Sequence, residues 1–195
     1  MKIALVPMAA KPYHAGHDGL VRIAASENDL VKLFVSTSDR KRPGEIPILG
    51  SDMMTIWTSY IEPTLPANVE VEYVNVPVTG VYSALETAEA NKSKDEFYIY
   101  SDSEDILKYR ESSLKKSAPR LFKGNKINLK GVDRTQTVPV SGTKMRQLLS
   151  TGNVKKFVSL LPPAVRQYGT EIYDILSKQA VESLIRDYAK LILRG

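Results

Sequence analysis

The 195-residue chain has two histidines, and both fall in one tetrapeptide, His14-Ala15-Gly16-His17. Imidazoles at this spacing can donate hydrogen bonds to a phosphate whose charge grows during displacement. They can also ligate a metal, serve a nucleophilic serine as base, or simply make a loop polar. A zinc site would need carboxylates such as Asp18, because the chain has no cysteine and no third histidine, and zinc favours Cys and His. A serine hydrolase is disfavoured by the lack of a G-x-S-x-G elbow. Gly16 lets backbone approach a ligand closely, and a helix starting near His17 would aim free N–H groups at it.

A second group with chemistry in it lies far along the chain, at Val140-Ser141-Gly142-Thr143-Lys144-Met145-Arg146. Ser141 suits a helix N-cap, Gly142 permits close approach, and Thr143 offers a hydroxyl. Arg146 offers a fork of donors that matches phosphate oxygens. Alone, the segment also reads as a plain capped helix with a solvated Lys and Arg. Lys11 has two readings, a triphosphate contact or a solvated loop lysine.

Strand-like and helix-like apolar periods alternate, as in an α/β domain with a mostly parallel sheet. Residues 2–8 form a continuous apolar run, as expected of a strand covered on both faces. Residues 30–36, 69–76 and 97–100 supply further strands, the second of these nearer the sheet edge. Ile127, Leu129, Val138 and Val140 suggest the last strand or strands. Helical spacing runs over 19–25, over 52–61 with Ser51 as a plausible cap, over 81–91, and from Ser141 onward with breaks at Gly152 and Pro162-Pro163. The expected fold is Rossmann-like: an open, mostly parallel sheet flanked by helices (1–150), with a C-terminal helical extension (151–195) packed on it. In such sheets ligands bind beyond the carboxyl ends of the strands, which makes the turn after strand one the best-placed loop for chemistry.

Hydrophobic residues at 43% and charged residues at 25% are an ordinary globular mix, which argues against disorder, collagen and coiled coil. The missing cysteines exclude a disulfide scaffold and a thiol nucleophile. No apolar run spans a membrane, and Pro7 and Pro12 interrupt the only N-terminal stretch resembling a signal peptide, so a cytoplasmic setting is expected. The net charge of +5 is concentrated. Residues 106–130 hold eight Lys or Arg and one acid, for a local net of +7. That stretch reads as a solvated face, or as a surface where Arg120, Lys123 and Lys126 meet an anionic acceptor or nucleic acid. Without an RNA- or DNA-binding signature, nucleic-acid readout is not expected.

The pattern P-x-x-x-K-P-Y-H-A-G-H after a first strand resembles the HxGH signature of the nucleotidyltransferase superfamily. That group includes nicotinamide-nucleotide, pantetheine-phosphate and sulfate adenylyltransferases and glycerol-3-phosphate-type cytidylyltransferases. Ser141, Thr143 and Arg146 match the superfamily's second signature, I-S-(S/G)-T-x-x-R, with Val140 in place of isoleucine. The resemblance covers about residues 2–150. Phe97 to Asp102 is similar to the family strand ending in Gly-x-Asp near the nucleoside, with Ser101 replacing or shifting the glycine. Ser36 to Arg40 lies where relatives place a small residue followed by basic ones. Residues 157–162 and 172–176 are loosely similar to tails of some virus-encoded members.

The resemblance implies transfer of a nucleoside monophosphate, AMP more than CMP, from ATP or CTP to a small phosphate-bearing acceptor, with release of pyrophosphate. His14, His17, Lys11 and Arg146 would be catalytic. Pro7, Met8, Gly16, Ser101, Asp102, Ser141, Gly142 and Thr143 would contact the nucleotide. Mg2+ would bridge the phosphates without a dedicated protein cage. Homo-oligomers occur among relatives. Two alternatives stay open: a catalytically silent nucleotide-binding or regulatory module, and a nucleic-acid-binding protein using the basic stretch.

Overall fold

The computed structural model describes residues 1–178. These form a five-stranded, all-parallel sheet in the order β3-β2-β1-β4-β5, with helices between the strands. The strands are β1 (Lys2–Met8), β2 (Leu30–Ser36), β3 (Val69–Val74), β4 (Glu96–Asp102) and β5 (Ile127–Val132). The helices are α1 (Ala15–Glu27), α2 (Gly50–Ile56), α3 (Pro77–Ala90), α4 (Glu111–Ser117), α5 (Pro119–Lys123), α6 (Gly142–Ser150) and α7 (Val154–Ser159). A short 3-10 turn, Pro163–Tyr168, follows α7, and residues 169–178 are helical.

The chain divides into two compact units that interleave along the sequence. The first, Met1–Ala10, Gly16–Thr37 and Leu65–Pro139, holds the sheet. Its central strands are apolar on both faces: Ala4, Leu5 and Val6 of β1, Leu33 of β2 and Ile99 of β4 are all fully buried. Parallel strands need cover on each side, so an uninterrupted apolar run is their signature. On one face Ile3, Leu5, Phe34, Phe97 and Ile99 share a core with Val81 and Leu85 of α3 and with Leu114 and Leu121 beyond β4. At the edge, β3 alternates, with Glu70 and Glu72 exposed between half-buried Val69, Val71 and Tyr73.

The second unit comprises, among the described residues, Lys11–Ala15, Ser38–Thr64 and 140–178. Aromatic pairs hold it together. Tyr13 packs on the fully buried Trp57 at 4.7 Å between ring centroids, Tyr60 on Tyr168 at 5.1 Å, and Phe157 against Tyr173 at 5.4 Å. Trp57 is the largest of the fully buried side chains. It opens a π-helical turn, Trp57–Ile61, that continues α2.

Two local expectations need correction. Ser51 does not cap α2, because the helix begins at Gly50 and its first N–H donates to the Asp39 carboxylate at 2.9 Å. That cap comes from eleven residues away, where no local pattern could reveal it. Val138 and Val140 form no strand. They flank Pro139, which has no N–H to give a ladder, and β5 ends at Val132. The Ser141 cap is as expected: its Oγ accepts from the Lys144 N–H at 3.2 Å. The expected helices over 179–195 lie outside the described residues.

Candidate active site

In the first unit, the strand order sets where a ligand can enter. The chain leaves β1 toward β2 and β3 on one side, and β4 and β5 fill the other, so the crossover direction reverses between β1 and β4. Open α/β sheets bind ligands in the crevice beyond the carboxyl ends of strands at such a point. A cavity of about 230 Å³ opens there. Pro7 and Met8 from the end of β1, Ser101 from the end of β4, Val78 from the start of α3, and Lys108 and Tyr109 line it. Drug-sized ligands occupy roughly 300–1,000 Å³, so this space suits one ring rather than a whole nucleotide.

Three of the sequence-derived nucleotide residues, Pro7, Met8 and Ser101, thus line the same cavity. Asp102 follows Ser101 and accepts from the Glu104 N–H at 3.0 Å, a turn that ends the strand. The sequence reading missed Lys108 and Tyr109. Lys108 pairs with Asp105 at 2.5 Å. Tyr109 is buried, its ring 6.0 Å from that of Tyr82, and its hydroxyl has no hydrogen-bond partner. Burial, then the neighbouring Tyr82, pushes that phenol up. An aromatic a few residues past the strand beside the switch point was the available signal.

The histidine turn follows β1 directly. Ala9 is exposed, Ala10 takes a left-handed backbone at φ +48°, and the Lys11–Pro12 peptide is cis. His14 is buried and immediately precedes α1. Gly16 and half-buried His17 lie in the first turn of that helix, one turn beyond His14. Asp18, the carboxylate a zinc site would have required, is buried in an ion pair with Arg22 at 2.7 Å. Among the described residues no group of three or more His, Cys, Asp or Glu could hold a metal ion.

Within the second unit, Arg146 is the centre of a polar network. It projects from α6 and is 5% exposed. Its Nη1 donates to the Lys11 carbonyl at 2.8 Å and its Nη2 to Thr143 Oγ1 at 3.0 Å. Its Nε lies 2.9 Å from Glu45 Oε2. Gly142 makes room for this arrangement, since a Cβ there would sit 2.9 Å from Arg146 Nη1. Lys11 is buried as well, and its Nζ donates to the Ser38 carbonyl. Burial lowers the pKa of Lys11, against the pull of Asp39. It also lowers that of Arg146, against Glu45. For Glu45, burial raises the pKa, but hydrogen bonds from Arg146 and Arg40 hold the carboxyl below its usual range. The network brings Lys11, Thr143 and Arg146 together with Glu45 and Arg40, with Gly142 alongside.

Several cations of the basic stretch face acids. Arg120 lies 3.7 Å from Glu89, Lys126 pairs with Glu96 at 2.9 Å, and Lys115 pairs with Glu111 at 2.6 Å. Two of those acids lie outside the stretch, which is why its composition alone overstates its field.

No family model matches the chain, and no curated protein matches it in sequence. Solved structures do. A protein of Vibrio parahaemolyticus to which nicotinate-nucleotide adenylyltransferase activity is ascribed aligns over 91% of this chain and 96% of its own, at 16% identity and a TM-score of 0.57. A bifunctional NMN adenylyltransferase/ADP ribose pyrophosphatase of Francisella tularensis, complexed with AMP and a manganese ion, aligns over all of this chain at 16% identity and a TM-score of 0.55. This chain spans 56% of the Francisella protein's length. The likeness is one of fold: a Rossmann-like parallel sheet flanked by helices. The similarity to virus-encoded members finds no support among these neighbours. Among the described residues no helix is long and apolar enough to cross a membrane.

Proposed function

We propose that the chain is a nucleotidyltransferase that moves AMP from ATP to a small phosphate-bearing acceptor and releases pyrophosphate. The observation that carries this reading is the H-A-G-H turn, which directly follows β1, the strand that flanks the switch point of the sheet. The fold shared with adenylyltransferases and the S-G-T-x-M-R start of α6 support it.

An acceptor oxygen attacks the α-phosphorus. A new P–O bond forms there while the bond to the bridging oxygen breaks, and pyrophosphate leaves with that electron pair. Such chemistry asks the protein for position and charge neutralisation more than for covalent help. His14 and His17 donate hydrogen bonds to the α-phosphate oxygens, whose charge grows in the transition state. Lys11, Arg146, Ser141 and Thr143 take the leaving pyrophosphate. Pro7, Met8, Gly16, Ser101, Asp102 and Gly142 border the nucleotide. A divalent cation carried on the triphosphate neutralises it when bound. The substrate oxygens and water would hold that cation. The cytoplasm, with its nucleoside triphosphates, is the setting such a reaction requires.

The test is pyrophosphate release with ATP and, in parallel, CTP against a panel of phosphorylated acceptors. Pyridine mononucleotides come first, as the acceptor class named for the Vibrio and Francisella proteins. Release with ATP above CTP is expected. Tight ATP binding without release under any acceptor would instead support a silent nucleotide-binding module.

A further inference from the structure

The reading above assigns Arg146 a phosphate, yet in the second unit its guanidinium already faces an anion. Arg146 Nε lies 2.9 Å from Glu45 Oε2, and its Nη2 lies 3.4 Å from Oε1. Arg40 meets the same carboxylate from its own fork, Nε to Oε2 at 3.0 Å and Nη2 to Oε1 at 3.4 Å. Arg40 grips the carboxylate with a two-point fork, while Arg146 faces it as an ion pair with one long hydrogen bond, its Nε making none. Two guanidinium groups around one anion also suit phosphate.

The backbone delivers Glu45 to that position. Arg42-Pro43-Gly44-Glu45 is a tight turn: the Glu45 N–H donates to the Arg42 carbonyl at 3.1 Å, and Gly44 takes φ +75°. Pro at the second position and a left-handed glycine at the third define a type II turn. A bridge between Arg40 and Ile48, with hydrogen bonds of 2.8 and 3.0 Å, closes the loop. The Glu45 and Arg40 side chains are similarly accessible, 26% and 23% exposed, whereas that of Arg146 is 6% exposed. Arg42 adds further positive charge that Arg146 feels. One carboxylate therefore answers several cations, and solvent reaches both it and Arg40.

We propose that Glu45 is an internal stand-in anion: its carboxylate fills an Arg40–Arg146 phosphate clamp, and a polyphosphate must displace it to bind. This rests on the phosphate-binding reading of α6 and deepens it by naming Arg40 as the second jaw and Glu45 as the competitor. The apparent affinity of the clamp is lowered by the fraction of molecules in which Glu45 occupies it. The loop closed by the 40–48 bridge is the part that moves.

The test is titration calorimetry with inorganic tripolyphosphate at fixed ionic strength, with thermal unfolding of each variant recorded alongside. Glu45→Gln keeps the shape and removes the charge, and it should bind tripolyphosphate roughly tenfold more tightly than the native chain. Arg40→Gln should bind more weakly than the native chain. Equal or weaker binding by Glu45→Gln overturns the proposal and makes Glu45 a residue that merely positions the two arginines. If Glu45→Gln does not fold, Glu45→Asp carries the test. Its carboxylate is withdrawn by one methylene, so binding should tighten, and unchanged or weaker binding overturns the idea. Tighter binding in a protein without nucleotidyl transfer keeps the clamp and ends the transferase reading; transfer activity with unaltered tripolyphosphate affinity does the reverse.

Discussion

The histidine turn and the Arg146 network place polar groups by opposite means. At the turn the backbone does the placing: β1 ends, the chain reverses through Ala10, and α1 starts, carrying His17 in its first turn. Around Arg146 a buried network does it, with the Lys11 main-chain carbonyl and the Thr143 and Glu45 side chains each fixing part of one guanidinium. A group positioned by backbone can be removed without disturbing its support. A group positioned by a buried network takes part of the fold with it when it goes. The two regions should therefore fail differently under mutation.

The largest expected effect separates them on activity. His17→Ala removes one donor from the developing charge and should lower pyrophosphate release by about 10²–10³-fold. Its unfolding midpoint should stay close to that of the native chain. Retained turnover would end the transferase reading, whereas a large loss of stability would show that the His17 side chain also supports the fold.

Arg146→Ala should do both kinds of damage. Removing the guanidinium leaves the Lys11 carbonyl and Thr143 without their donor and Glu45 with Arg40 alone. Breaking a fully buried pair costs about 3–5 kcal/mol. With Glu45 partly in water, about 2 kcal/mol is the better expectation, read by urea denaturation. Nucleotide binding should weaken in the same variant. Arg146→Lys keeps the charge but not the fork, so it should recover only part of each loss. An Arg146→Ala protein of native stability would erase the contrast between the two regions.

The same contrast explains what the sequence could disclose. The apolar run of β1, the alternation of β3, the H-A-G-H turn and the Ser141 cap are all local: each is set by residues within a few positions of one another. Their physical signatures are written contiguously. The Asp39 carboxylate that starts α2, the acids that neutralise Arg120 and Lys126, and the double clamp on Glu45 join residues from separate segments. Composition hints at such partnerships without assigning them. The loop from Arg40 to Glu45, with a lone acid after three cations, showed its charges but not that the acid turns back onto Arg40. The strand expected at Val138 and Val140 failed for a related reason. Apolar character is local, whereas a ladder partner is not.

Two tyrosines of the sheet unit sharpen the comparison at the smallest scale. Tyr100 is buried with its hydroxyl donating to Glu27 at 2.6 Å and accepting from Asn28 Nδ2 at 3.0 Å. Tyr109 is equally enclosed, but its hydroxyl has no hydrogen-bond partner. Tyr100→Phe removes two hydrogen bonds, although Glu27 is exposed and Asn28 Nδ2 keeps its bond to the Ala24 carbonyl, and should cost about 1 kcal/mol. Tyr109→Phe deletes an unsatisfied group and should be neutral or stabilise by up to about 1 kcal/mol. Urea titrations at neutral pH measure both. Alkali then adds an independent check, because burial first, and the Glu27 hydrogen bond next, push the Tyr100 phenol up to about 12. A folded-state pKa above the unfolded value of about 10 gives stability that is fully present below pH 10 and is lost as pH rises through about 12. The stability gap between the native chain and Tyr100→Phe should therefore hold up to pH 10 and close above it. A gap that stays constant across that window would mean that the phenol's partners do not distinguish its charged from its neutral form.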